Sequence, residues 1–248
     1  MTESAPRLRM FAGPNGSGKS TVKDEVLRVL GPSLIGVDIN PDVIEQHVRD
    51  CGFLDLAEFG VTAATTDAVK FVRSSSLIKR AGLWEEAALI SASGTSLQFG
   101  KVKVNSYYAS ALCAFIRGEL IANRISFTCE TVMSHKDKIE LLQAAHRSGF
   151  RNYLYYVATE DPAINVDRVA NRVKLGGHSV PADKIVSRYK RSLELLADAI
   201  RETNRAYIFD NSRQALRLIA EITGGSAMDK LVEDQPTWFR HYVLDRVS

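Results

Sequence analysis

The sequence predicts a three-layer α/β fold: a central, mainly parallel sheet with helices on both faces, carrying an inserted subdomain. Three observations predict it. Short apolar stretches alternate with amphipathic helical ones from about residue 7 to residue 211, the order that builds a parallel sheet. One of them, Tyr153-Leu154-Tyr155-Tyr156-Val157, is apolar throughout, as a strand covered on both faces is. The alternation lapses only between about residues 51 and 104, where the insertion is placed.

Arg7 to Ala12 reads as a first strand running into a glycine-rich turn. Thr21 to Leu30 follows as a helix with Val22, Val26, Val29 and Leu30 on one face, and Gly31-Pro32 stops it. Leu34 to Val37 reads as the second strand, ending at Asp38-Ile39-Asn40-Pro41-Asp42, with Pro41 suited to the first turn of another helix. Within the insertion, Ala63 to Lys79 has helical character, and Glu85 to Val104, around Gly94-Thr95-Ser96, reads as a hairpin or a helix-turn. The frame resumes with a helix at Ser106–Ala122, a strand at Ser126–Cys129 and a helix from Lys136 to Ser148. Beyond the apolar strand, Asp161-Pro162 caps a helix that Gly176-Gly177 breaks. Pro181 starts another, running to about Arg201, and Ala206 to Phe209 reads as the final strand. The whole, residues 1–248, is expected to be a single domain.

Composition excludes several classes. A hydrophobic fraction of 45% and a charged fraction of 25% are those of a globular chain, neither disordered nor fibrous. No apolar run is long enough to span a bilayer, and the first ten residues lack a signal peptide, so a cytoplasmic protein without a membrane partner is expected. A formal net charge of +3 is too small to argue for nucleic acid. Cys51, Cys113 and Cys129 form no CxxC pair and read as buried, reduced thiols, and the five histidines show no metal-ligand spacing.

The chemistry is concentrated in Gly13-Pro14-Asn15-Gly16-Ser17-Gly18-Lys19-Ser20, which matches G-x-x-x-x-G-K-[ST] in full. Glycines let the backbone wrap phosphate oxygens, so that successive N–H groups point inward. A helix starting near Lys19 adds its positive end. Lys19 reaches the β- and γ-phosphates, and the Ser20 hydroxyl can ligate Mg²⁺. The motif therefore implies ATP, or a closely related triphosphate, with Mg²⁺. Neither the guanine-reading Asn-Lys-x-Asp of a GTPase nor an LSGGQ-like ABC signature is present. A kinase needs in addition a carboxylate near the second strand end and cations that close over the phosphates. Asp38 and Asp42 both stand where such a base would, with Asp42 favoured. Arg168 and Arg172 share a helix face, and Lys184, Arg188 and Arg191 form a stripe opposite the apolar Ile185, Tyr189, Leu193, Leu196 and Ile200. Joined by Gly176-Gly177-His178, the two basic faces read as a lid. Glu130 lies at the carboxyl end of its strand, placed to hold acceptor hydroxyls or a water on the metal.

Five stretches resemble the zeta-toxin family of P-loop kinases: Ala12 to Thr21, Asn40-Pro41-Asp42, Phe127 to Thr131, Arg168 to His178, and Arg188-Tyr189, with Asp210-Asn211-Ser212 fitting too. The match is nearest to the chromosomal branch often labelled predicted ABC-type ATPases. The resemblance implies a P-loop kinase fold and a kinase acting on a sugar hydroxyl of a UDP-N-acetylhexosamine. It makes Lys19 the P-loop lysine and Asp42 the base, Glu130 and Thr131 acceptor-binding, and Arg168 and Arg172 phosphate-binding. A neutralising antitoxin would act in trans. The sequence departs from the family at Val132 and Ser134 and in the long 51–104 stretch, all where the acceptor should bind. Two other readings stay open: a nucleotide or polynucleotide 5′-kinase, and a non-catalytic ATP-dependent switch.

Overall fold

The computed structural model describes residues 4–176 and 179–247. Along the chain come β1 (Arg7–Ala12), α1 (Lys19–Leu30), β2 (Val37–Ile39), α2 (Pro41–Cys51), β3 (Phe53–Asp55), α3 (Thr65–Ser74), α4 (Ser76–Arg80) and α5 (Trp84–Ala87). Then follow β4 (Ser91–Ser93), β5 (Ser96–Gln98), α6 (Ser106–Ala122), β6 (Phe127–Thr131), α7 (Asp137–Arg147), β7 (Arg151–Ala158) and α8 (Pro162–Lys174). The chain closes with α9 (Ala182–Glu194), α10 (Leu196–Arg201), β8 (Arg205–Asp210), β9 (Arg217–Thr223), β10 (Ala227–Lys230) and short helical turns over residues 237–244. It divides into two compact units, one of residues 1–35 with 128–248 and one of residues 36–127.

The first unit holds the strands in the order β10-β9-β8-β7-β1-β6. β1, β7 and β8 pair in parallel, whereas β9 and β10 return antiparallel. Register aligns Phe11 with Tyr155 and Tyr155 with Tyr207, so the three rings stack across the sheet at centroid spacings of 4.6 and 5.0 Å. Val22 on α1 packs on that aromatic row. Val29 and Leu30, expected on the same face, are instead exposed, because the stripe that reaches the sheet from this short helix ends with the half-buried Val26. On α9 and α10 the apolar stripe holds as read: Ile185, Tyr189, Leu193, Leu196 and Ile200 are all buried.

Two strands lie beyond the one expected to be last. β8 pairs with β9, and between them the register slips: Ile208 faces Ala220 while Phe209 faces Leu218. Ile219 is thus an extra residue, a β-bulge. The turns at 237–244 bring Trp238 against Tyr156, where its indole N–H donates to the buried Asp210 carboxylate at 3.3 Å.

In the second unit β3, β5 and β4 form an antiparallel sheet in that order, the β4–β5 turn falling at Gly94-Thr95. α6 is largely buried and packs on α2, α3 and α4. The helix read over 63–79 is two helices, separated where the Ser75 hydroxyl caps the second by accepting the Leu77 N–H. The second strand is also displaced. Pro32 starts a 3-10 turn through Leu34, and pairing geometry begins only at Val37, so Asp38 lies within β2 instead of past its end. Cys51, expected to be buried, is exposed at the last position of α2, whereas Cys113 and Cys129 are buried.

Candidate functional site

The site begins where β1 ends. Gly13 turns the chain at φ 141°, and a Cβ there would lie 2.1 Å from the Val157 carbonyl oxygen on β7. Gly16, at φ 74°, is confined from the other side, where a Cβ would stand 2.7 Å from the Asn165 carbonyl on α8. Only glycine meets both the backbone angle and the close approach. The loop closes through the Ser17 N–H on Pro14 O at 3.2 Å and is tied to β6 by the Gly13 N–H on Thr131 O at 3.3 Å. α1 opens at Lys19, where the motif places a helix start, so Lys19, Ser20 and Thr21 form its first turn. A glycine-rich loop feeding a helix N-terminus is a concave array of N–H donors suited to phosphate oxygens.

Side chains complete the cradle. Lys19 Nζ reaches back over the loop and donates to Pro14 O at 3.1 Å. The Ser20 hydroxyl donates to Glu130 Oε2 at 3.2 Å, and Lys23 Nζ stands 3.6 Å from Glu130 Oε1. Ser20 and Glu130 are hard oxygen donors side by side, the kind Mg²⁺ takes, so the residues present fit that ion.

One helical turn past Asn165, Arg168 carries a buried Nη1 that makes no hydrogen bond among the described residues. Asn15 Oδ1 and Ser17 Oγ in the loop are buried and unmatched in the same way. A buried guanidinium nitrogen in that state asks for an anionic acceptor. Arg172, a turn further on, is exposed, and Arg188 on α9 is half-buried. Of the expected hinge, only Gly176 lies within the described residues; Gly177 and His178 fall outside them.

The segment after β6 is held rigidly. The Thr131 hydroxyl accepts the Met133 N–H at 3.0 Å, and buried Met133 adopts φ 53°, a backbone angle unusual for a residue with a side chain. The Ser192 hydroxyl on α9 donates to Val132 O at 2.7 Å and is itself bonded to the Tyr156 hydroxyl. The Tyr189 hydroxyl donates to Thr159 O at 2.6 Å. Burial drives both phenols, Tyr156 and Tyr189, well above their ordinary pKa, so both remain neutral donors. His135 is held below its usual pKa by partial burial first, then by the positive charge of Arg191, with Lys138 and Arg188 adding and Asp137 opposing. The positive charges of Arg188 and Arg191 on α9 thus act on this segment at His135.

Of the residues singled out from sequence, the first unit brings together Gly13 to Thr21, Glu130, Thr131 and Arg168. Asp38 and Asp42 belong to the second unit. Asp42 sits exposed in the first turn of α2, its N–H capped by Asn40 Oδ1 at 2.9 Å. Sequence reasoning gave no role to Lys23, Thr159, Asn165 or Asn211. Asn165 Nδ2 donates to Asn15 O at 2.7 Å, and Asn211 Nδ2 donates to Ser17 O at 2.8 Å. A signal existed for Asn165: asparagine is a poor residue for a helix interior, and here it falls on the buried stripe with Val169.

The fold and this loop define the class: a P-loop kinase fold, with the glycine-rich turn between a central strand and its helix. Its relatives in structure agree. A chain of the AvrRxo1-ORF1:ORF2 complex crystallised with ATP is similar over 91% of this chain and 60% of its own length, with a TM-score of 0.57 and 15% identity. A chain of the PezAT chromosomal toxin–antitoxin system of Streptococcus pneumoniae is similar over 89% of this chain and 73% of its own, with a TM-score of 0.52 and 13% identity. At such identities the likeness establishes the fold. In sequence, an uncharacterized protein of Haemophilus influenzae is 33% identical over 69 residues, which are 28% of this chain and about half, 49%, of that relative's length. No family model matches.

Proposed function

We propose that this chain is an ATP-dependent kinase that transfers the γ-phosphate to a hydroxyl of a small acceptor. The observation that carries the proposal is the junction of the P-loop with Ser20 and Glu130, a phosphate cradle beside a pair of hard-cation ligands. Mg²⁺ bound by Ser20, with Glu130 alongside, would neutralise charge on the β- and γ-phosphate oxygens. The loop N–H groups and Lys19 hold the β,γ-phosphates, and the Arg168 guanidinium, short of an acceptor, supplies charge where the transferring group becomes more negative. Asp42 takes the proton of the acceptor hydroxyl as its oxygen attacks the γ-phosphorus in line, and ADP leaves. Thr131 and Arg188 bind the acceptor, with Asp38 nearby in sequence as the alternative base. The acceptor is a UDP-sugar, UDP-N-acetylhexosamine first. The five family-like stretches support this, as do the positive charges of Arg188 and Arg191 acting at His135. Similarity to a chain of the PezAT toxin–antitoxin system, and to one of the AvrRxo1-ORF1:ORF2 complex, supports a protein partner in trans, an antitoxin first.

The test is incubation with γ-labelled ATP and a panel of UDP-sugars, nucleosides and short oligonucleotides. Label on a UDP-sugar is expected. Label on the 5′ end of a nucleoside or oligonucleotide would replace the acceptor, and ATP binding without any transfer would replace the kinase by a switch.

A further inference from the structure

Two asparagine side chains reach the phosphate loop from different elements, and both grip a main-chain carbonyl. Asn165 on α8 is completely buried. Its Oδ1 accepts the Thr159 hydroxyl, which fixes the amide so that Nδ2 faces the loop and donates to Asn15 O at 2.7 Å. Asn211 follows β8, where its own N–H is anchored on Ala158 O at 2.8 Å. Its Nδ2 donates to Ser17 O at 2.8 Å and lies so close to Gly18 that a Cβ there would come within 2.4 Å.

In a trans peptide the carbonyl and the following N–H point in opposite directions, and no described peptide bond is cis. Gripping the Asn15 carbonyl therefore turns the Gly16 N–H away from α8, and gripping the Ser17 carbonyl turns the Gly18 N–H away from Asn211. We infer that Asn165 and Asn211 are positioning residues that hold the Gly16 and Gly18 N–H groups towards bound phosphate. The loop needs such external clamps because three of its residues, Gly13, Gly16 and Gly18, sit at positive φ. A free glycine-rich segment samples many other conformations, and ordering it on binding would cost affinity. Asn165 has a second consequence. It ties the first turn of α8 to the loop, three residues before Arg168. The inference rests on the triphosphate reading of the loop.

The experiment is calorimetric titration of the full chain with Mg²⁺-ATP and with AMP, for the wild type, Asn165→Leu and Asn211→Ala, with melting temperatures recorded alongside. Each variant is expected to lose about tenfold in ATP affinity, the usual consequence of breaking one buried hydrogen bond. AMP, which lacks the β-phosphate, should change less than twofold. A structural role alone would weaken ATP and AMP alike. Asn211 is partly exposed, so its variant keeps the test alive if Asn165→Leu does not fold. ATP affinity within twofold of wild type in a folded variant overturns the clamp, as does an equal loss for both nucleotides. A wild type that binds no ATP overturns the underlying reading, and the clamp with it.

Discussion

Gly13→Ala tests whether the loop is shaped by the sheet beside it. The added Cβ would lie 2.1 Å from Val157 O, an atom of the β7 backbone and not a side-chain tip that can turn aside. Contact at that distance is over 1 Å too close, about 1 Å being a large shift for the centre of a packed sheet. Overpacking of this kind costs about 1–3 kcal/mol, and a backbone angle reserved for glycine costs about 1–3 kcal/mol more. Taken together, roughly 4 kcal/mol is expected, which for a chain of this size lowers the melting temperature by about 8–16 °C. Gly224→Ala is the control within the same unit. Gly224 also has positive φ, 58°, but beyond its chain neighbours no atom of the described residues lies within 4 Å of its Cβ position. Only the left-handed backbone cost of about 1–2 kcal/mol remains, a fall of about 2–8 °C. Thermal denaturation followed by circular dichroism measures both. Equal melting temperatures for the two variants would refute the steric argument and the close approach of the loop to β7.

Asp42→Asn should leave ATP affinity nearly intact while stopping transfer, and Asp38→Asn should be milder; a fluorescent ATP analogue titrated beside the transfer assay reads both, and the reverse pattern would swap the two roles. Arg168→Ala should lower turnover by about a hundredfold with only a modest change in ATP affinity, as expected of charge used in the transition state; unchanged turnover with much weaker ATP binding would contradict it, and Arg172→Ala should follow the same pattern more weakly because that residue is exposed. Trp238→Ala removes a buried indole and its bond to Asp210, so stability should fall by about 3–5 kcal/mol in urea denaturation.

How far the sequence could be read depended on whether its signals were local. The phosphate loop was legible because its chemistry needs fixed residues at fixed spacing. The stripe of Ile185, Tyr189, Leu193, Leu196 and Ile200 was legible because its helical period repeats, although the one helix expected to run to about Arg201 is two, α9 and α10. β9 was not, since the bulge at Ile219 puts two successive residues, Ile219 and Ala220, into the core and breaks the period-2 alternation of a strand. The start of β2 was misplaced because Leu34 and Ile35 look like strand residues, yet Pro32 winds them into a tight turn. The clamps Asn165 and Asn211 are 150 and 194 residues from the carbonyls they hold, a pairing that no local pattern contains.

The most direct test of the central claim follows the γ-phosphate itself. Wild type and Lys19→Ala are incubated with Mg²⁺, γ-labelled ATP and a UDP-N-acetylhexosamine, and the labelled product is resolved by chromatography. The account predicts a labelled phosphomonoester of the sugar nucleotide from the wild type, formed about a hundredfold or more slowly by the variant. An equal rate in the variant, or label released by the wild type only as free phosphate, would contradict it.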